Sequence, residues 1–201
     1  ALPIYVAGSG FRESGEQNKP SSSGPNRGAL RGTAYHAVLE HIRFHEIHSL
    51  SEVKPVVDEL LENGFLDQEA RDFINPNVIW NFLSSSLGTR MAKAQAEGRI
   101  HKEQQFIIGI PAREMGLGDS DELVLIQGII DAYLEEEDGL VLIDYKTDHV
   151  PEGSPEQGAK MLAERYRVQL DYYERALTQL TEKHVKERII YSLALQMSIN
   201  V

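Results

Sequence analysis

The 201-residue sequence contains no cysteine. That absence excludes disulfides, thiolate zinc sites, cysteine nucleophiles and cysteine-ligated iron–sulfur clusters, so any metal must be held by oxygen or imidazole. No apolar run approaches the ~20 residues that a membrane-spanning helix needs. No basic-then-apolar leader opens the chain, and a cytoplasmic location without membrane contact is expected. Positive charge is scarce too. The 20 Lys and Arg are outnumbered by 31 Asp and Glu, for a net charge of −11. This balance argues against a free-standing nucleic-acid binder, unless the acid gathers around a metal or another domain holds the nucleic acid. The hydrophobic share of 41% suffices for one core in one domain of ordinary size.

Residues 8–32 are rich in Gly, Ser, Pro and Asn, with hardly any apolar periodicity. The expected layout is a flexible tail or linker over 1–31, with a folded domain over 32–201 cut from a longer chain. Ala1–Ala7 reads either as a tag remnant or as a strand docked elsewhere. Thr33 is placed to cap a helix carrying Val38, Leu39 and Ile42, and Ser51 to cap a second that ends at Asn63-Gly64. Asp67 opens a third helix, Pro76 a fourth, and a fifth spans 86–96. Strands are expected at 100–110, 123–134 and 140–145, the last two joined by a hairpin at Asp138-Gly139. A long helix over 155–180 and a strand over 189–195 complete an α/β chain with a helical front. No internal repeat is visible.

Two of these strands end in carboxylates: Asp131 in Gly128-Ile129-Ile130-Asp131, and Asp144 in Leu142-Ile143-Asp144-Tyr145-Lys146. Both follow apolar runs, so both start from a buried sheet. Two anions paired across a hairpin are unfavourable unless a cation lies between them. A hard divalent ion, Mg²⁺ or Mn²⁺, suits carboxylate oxygens. Lys146 lies two residues after Asp144, hence on the same strand face, where its ammonium can position water or offset charge on a phosphate. A single Asp-x-Lys is more often a surface ion pair. His36 is a metal-ligand candidate in the first turn of the first helix, or else a capping or half-buried histidine. Glu103 is equally a rim carboxylate or a solvated strand end. Gln169 and Tyr173 share one face of the long helix, with Arg165 and Arg167 close before them. That helix either grips a DNA backbone or contributes Tyr172 or Tyr173 to the core. The other six histidines read as solvated or structural.

Together, Gly32-x-x-x-His36, Glu103, Gly128-x-x-Asp131, Asp144-x-Lys146 and Gln169-x-x-x-Tyr173 occur in one order across most of the chain. In this they resemble the RecB-family nucleases of the PD-(D/E)xK superfamily, and within them the AddA-type helicase–nucleases. The resemblance implies a restriction-endonuclease-like core, a small central mixed sheet flanked by helices. It implies that His36, Asp131, Asp144 and the Tyr145 carbonyl ligate Mg²⁺ and that Lys146 acts on the attacking water or the transition state. Gln169 and Tyr173 would orient the site and the DNA, and Glu103 would be a peripheral or second-metal carboxylate. Some relatives carry an iron–sulfur cluster, which a chain without cysteine cannot. No ATP-binding Gly-x-x-x-x-Gly-Lys loop is present.

What the resemblance implies is therefore a metal-dependent deoxyribonuclease of the exonuclease type. It would act on single strands or duplex ends in DNA repair and recombination, with a helicase domain in the same full-length chain and an AddB-type partner subunit. The alternatives are a stand-alone phage-type exonuclease and a catalytically inactive module that binds DNA ends.

Overall fold

The computed structural model describes residues 5–7, 27–150 and 153–201. Most of the expected tail therefore lies outside the described residues. The helical front comprises α1 (Arg27–His41), α2 (Leu50–Glu62), α3 (Gln68–Phe73), α4 (Pro76–Leu83) and α5 (Ser86–Ala96). A short strand β1 (Tyr5–Ala7) precedes them. After them come β2 (Ile100–Pro111), β3 (Leu123–Glu136), β4 (Gly139–Lys146), α6 (Pro155–Thr181), β5 (Val185–Ser192) and β6 (Met197–Asn200). Local chemistry accounts for the sharp boundaries. The Asp67, Asn75, Ser85 and Ser154 side chains each accept a hydrogen bond from a backbone N–H in the first turn that they cap.

Three boundaries differ from expectation. Helix α1 begins at Arg27, so Thr33 is mid-helix and His36 lies beyond the first turn. Residues 27–31 are thus helical rather than linker. Ser49, not Ser51, occupies the N-cap position of α2. The last strand stops at Ser192, and β6 follows it as an added edge strand.

The six strands form one mixed sheet in the order β1-β3-β4-β5-β6, with β2 on the other side of β3. All neighbours are antiparallel except β4 and β5, which run parallel and are joined through α6. Of the two sheet faces, one packs on α1–α5 through Val141, Ile143, Tyr145 and Tyr191, and the other on α6 through Tyr133, Leu140, Leu142 and Ile190. Phe82 centres the first layer with edge-to-face contacts to Phe44, Tyr145 and Tyr191. Such pairs contribute about 0.5–1.5 kcal/mol each beyond area burial. The Tyr145 anchor also faces Asp144 and Lys146 toward α6, because neighbouring strand residues point to opposite faces.

Arg90 ties α5 to the sheet, donating to both oxygens of Glu136 and both of Glu187. This guanidinium, against some desolvation and with help from Lys186, holds the Glu136 carboxyl down at about 2. A carboxylate depressed in the folded state adds stability above its unfolded value, and that stability is lost as pH falls through the folded value. Arg90→Met should therefore cost about 1–2 kcal/mol at neutral pH. In urea titrations the gap to the native chain should be full above pH 4.5 and close progressively toward about pH 2. A gap that does not change with pH would remove the pair from the account.

Candidate metal centre at the fork of two strands

The ladder between β3 and β4 ends at Ala132 and Ile143. On the same edge of β3, β1 pairs only with residues 125–127. Among the described residues, 128–131 of β3 therefore have no strand on that side, and the sheet opens as a fork. Asp131 and Asp144 come one step beyond the last pair, facing each other where the strands part. Asp131 is 3% exposed, Asp144 0% and Lys146 4%.

Each side chain has a distinct support. Asp131 Oδ2 accepts from the Tyr145 backbone N–H at 2.7 Å, and Oδ1 lies 3.3 Å from Nδ1 of His36. Burial raises this carboxyl, but His36 and Lys146 outweigh it and hold it below the ordinary range. Asp144 Oδ2 lies 2.6 Å from the Lys146 ammonium, an ion pair by distance. The angle is not that of a hydrogen bond, and both Asp144 oxygens are buried without a donor. Desolvation, with the Asp131 charge adding to it and Lys146 opposing, pushes Asp144 up to about 6. Lys146 also donates to Gln169 Oε1 at 3.1 Å, and Gln169 Nε2 donates to the Tyr173 hydroxyl at 2.7 Å.

Glu103 is more central than expected. The β2–β3 ladder pairs Lys102 with Ala132 and Gln104 with Ile130, so Glu103 falls across from Asp131. Its φ of 49° is left-handed, uncommon for a residue with a side chain. One ligand atom each from His36, Glu103 and Asp131 lies within 4.8 Å of the other two. Burial pushes Glu103 up to about 7, the charges of Asp131 and Glu40 add to this, and His36 opposes it.

Two glycines explain the motif spacing. A Cβ on Gly32 would come within 3.1 Å of Thr147 Oγ1, so its absence lets α1 approach the end of β4. His36, one turn on, is thereby brought to Asp131. A Cβ on Gly128 would lie 2.9 Å from the Phe106 ring, which packs edge-to-face on Tyr173. Gly32→Val should displace α1 and weaken divalent-metal binding by roughly tenfold or more, the scale of losing a ligand's support. Isothermal titration would show this, and native affinity in the variant would mean that α1 does not set the site.

Not every expected role survives. Tyr173 is fully buried against Phe106, which leaves its phenol no surface for DNA; it can orient Gln169 only. Arg165 is engaged with Asp148. Asp144 has no exposed surface, whereas Asp131, Lys146 and Gln169 line a cleft of about 930 Å³ with Gly32, His36 and Glu103. That volume lies at the upper end for ligand clefts and leaves room for more than a bare ion.

Lys102 is a supporting residue that no motif marked. Its ammonium donates to the Glu40 and Ile42 carbonyls at the end of α1 and lies 3.9 Å from the centre of the Phe44 ring. Burial lowers it to about 8. It joins α1 to β2 beside Glu103, where a lysine at a helix C-terminus satisfies orphan carbonyls.

The donor set fits a hard divalent cation. Imidazole and carboxylate are its ordinary ligands, and the two unsatisfied oxygens of buried Asp144 call for positive charge.

Comparison with known proteins agrees with this chemistry. The chain is 38% identical to the AddA-type ATP-dependent helicase/nuclease subunit of Lachnoclostridium phytofermentans over 209 aligned residues, covering 87% of this chain and 15% of that protein. It is 36% identical to the protein of the same name from Clostridium novyi, covering 82% and 13%. With that of Ruminiclostridium cellulolyticum the identity is 39%, covering 81% and 13%. The chain thus spans only a small part of the length of these relatives. The profile of the PD-(D/E)XK nuclease superfamily matches residues 8–199. A match of that extent settles the family: this chain belongs to the PD-(D/E)XK nuclease superfamily.

Proposed function

We propose that the chain is the nuclease domain of an AddAB-type helicase–nuclease, a Mg²⁺-dependent deoxyribonuclease that processes DNA ends in double-strand-break repair and recombination. The observation that carries this reading is the fork: two buried aspartates face each other there, one with both oxygens lacking a donor, beside His36 and Glu103. His36, Asp131, Asp144 and the Tyr145 carbonyl would hold the cation, Glu103 joining them or serving a second ion. A bound divalent cation supplies Lewis-acid charge that neutralises phosphate oxygens and makes water more acidic.

The remaining work belongs to the chain's own residues. Asp131 is fixed by His36 and the Tyr145 N–H, so it is preorganised as an acceptor. Lys146 neutralises Asp144 and must release it for that carboxylate to ligate. Its ammonium then offsets charge developing on the phosphate, directed by Gln169, which Tyr173 locks in place. The length of the relatives favours a helicase portion in the same full-length protein over a stand-alone exonuclease. An AddB-type protein would be the partner, and the location would be cytoplasmic; no helix among the described residues is long and apolar enough to cross a membrane.

The test is cleavage of end-labelled single-stranded and duplex DNA with Mg²⁺, Mn²⁺ or EDTA. Cutting that EDTA abolishes is expected. A chain that binds metal but does not cut would depend on its helicase to deliver DNA. A chain that neither binds metal nor cuts would be the inactive module.

A further inference from the structure

The Lys146 ammonium has a third neighbour. The ring of Tyr166 lies over it, 4.1 Å from Nζ to the ring centroid. Tyr166 is on α6, one turn before Gln169, so both reach Lys146 from one helix face. The ring is itself held. Its hydroxyl donates to Asp148 Oδ1 at 2.7 Å, and the same oxygen accepts from Arg165 Nη1 at 2.9 Å. Asp148 lies just past the end of β4, so these bonds pin the segment after Lys146 to α6. Among the described residues, Lys146 is thus restrained by a carboxylate, an amide and an aromatic face.

These restraints are not equivalent. On the nuclease reading, on which this inference rests, Asp144 turns to the cation when one is bound. The ion pair that now fixes the ammonium is then given up. A lysine stem has four rotatable carbons, and a single hydrogen bond to Gln169 leaves the ammonium free to swing about it. An aromatic face attracts an ammonium through the ring quadrupole and blocks its other side. We propose that Tyr166 is a positioning residue that keeps the Lys146 ammonium over the cleft after Asp144 has released it, with Asp148 and Arg165 fixing the ring.

Two substitutions separate the ring from the hydroxyl. Tyr166→Phe keeps the aromatic face and loses the Asp148 bond, whereas Tyr166→Leu keeps apolar bulk and loses the face. With Mg²⁺ and single-stranded DNA, Tyr166→Leu should lower kcat about tenfold with KM within about twofold, and Tyr166→Phe should stay within about threefold of the native rate. Native kcat in Tyr166→Leu, or equal losses in Leu and Phe, would overturn the proposal, because a merely structural tyrosine would show one or the other. A second readout needs no cleavage. In ¹³C–¹H spectra of lysine-labelled protein, the Hε protons of Lys146, assigned by their loss in Lys146→Arg, should be ring-current shifted. The shift should persist in Tyr166→Phe and vanish in Tyr166→Leu. An unshifted native signal would refute the contact even if the chain cut no DNA, so failure of the nuclease reading and failure of this one are distinguishable.

Discussion

Asp131→Asn will bind Mg²⁺ or Mn²⁺ at least about 100-fold more weakly than the native chain and will not cleave DNA detectably, a larger effect than losing a ligand's support. The native carboxylate accepts from the Tyr145 N–H with one oxygen and contacts His36 with the other. An amide has one acceptor and one donor group. It must turn its NH₂ either at the Tyr145 N–H or at the imidazole, and it has no charge to bind the cation. The fold should survive. Removing one anion relieves repulsion with Asp144 and Glu103, whose carboxyls the Asp131 charge helps to raise. Thermal unfolding in EDTA should show an equal or higher midpoint, and calorimetry should show the lost binding. Native metal affinity in Asp131→Asn would place the cation elsewhere.

Lys146→Met should divide binding from chemistry. Methionine keeps an apolar stem beneath Tyr166 and loses the ammonium. Cleavage should fall about 10²–10³-fold, the scale of removing one preorganised charge-stabilising donor. Metal affinity should hold or rise, because Asp144 no longer has Lys146 as a competing partner. Without metal, the variant leaves Asp144 buried and unpaired, which costs several kcal/mol when one partner of a buried pair is removed. Its unfolding midpoint in EDTA should drop and recover with Mg²⁺, because a ligand that binds only the folded state stabilises it. Equal loss of metal binding and cleavage would show that Lys146 supports the site rather than the reaction.

Much of this architecture was legible in the sequence, for identifiable reasons. The caps at Asp67, Asn75 and Ser85 and the hairpin at Asp138-Gly139 are local signals, and local chemistry made them. Asp144 and Lys146 share a face because strand periodicity is short-ranged. Other features depend on tertiary contacts. Glycines at 28 and 32 lower helix propensity and made the start of α1 read as linker; packing against Thr147 is what requires Gly32. Glu103 was ambiguous because both strands reverse their alternation there. Ile130 joins the α6 layer, yet Ala132, of the same parity, joins the helical layer. On β2, Phe106 faces α6, while Lys102 reaches Phe44 in the opposite layer. The reversal coincides with the left-handed Glu103, and no glycine announces it. Lys102 and Tyr166 carry no motif, since their partners lie far away in sequence or on another element.

The central claim is a metal centre at the fork of β3 and β4. The most direct test is a crystal of the chain soaked with Mn²⁺, with diffraction recorded at the manganese absorption edge. The account predicts an anomalous peak bounded by His36, Asp131 and Asp144, with Glu103 beside it and the Lys146 ammonium moved off Asp144 toward Gln169 and Tyr166. A peak elsewhere, or none at a Mn²⁺ concentration that supports cleavage in solution, would contradict it.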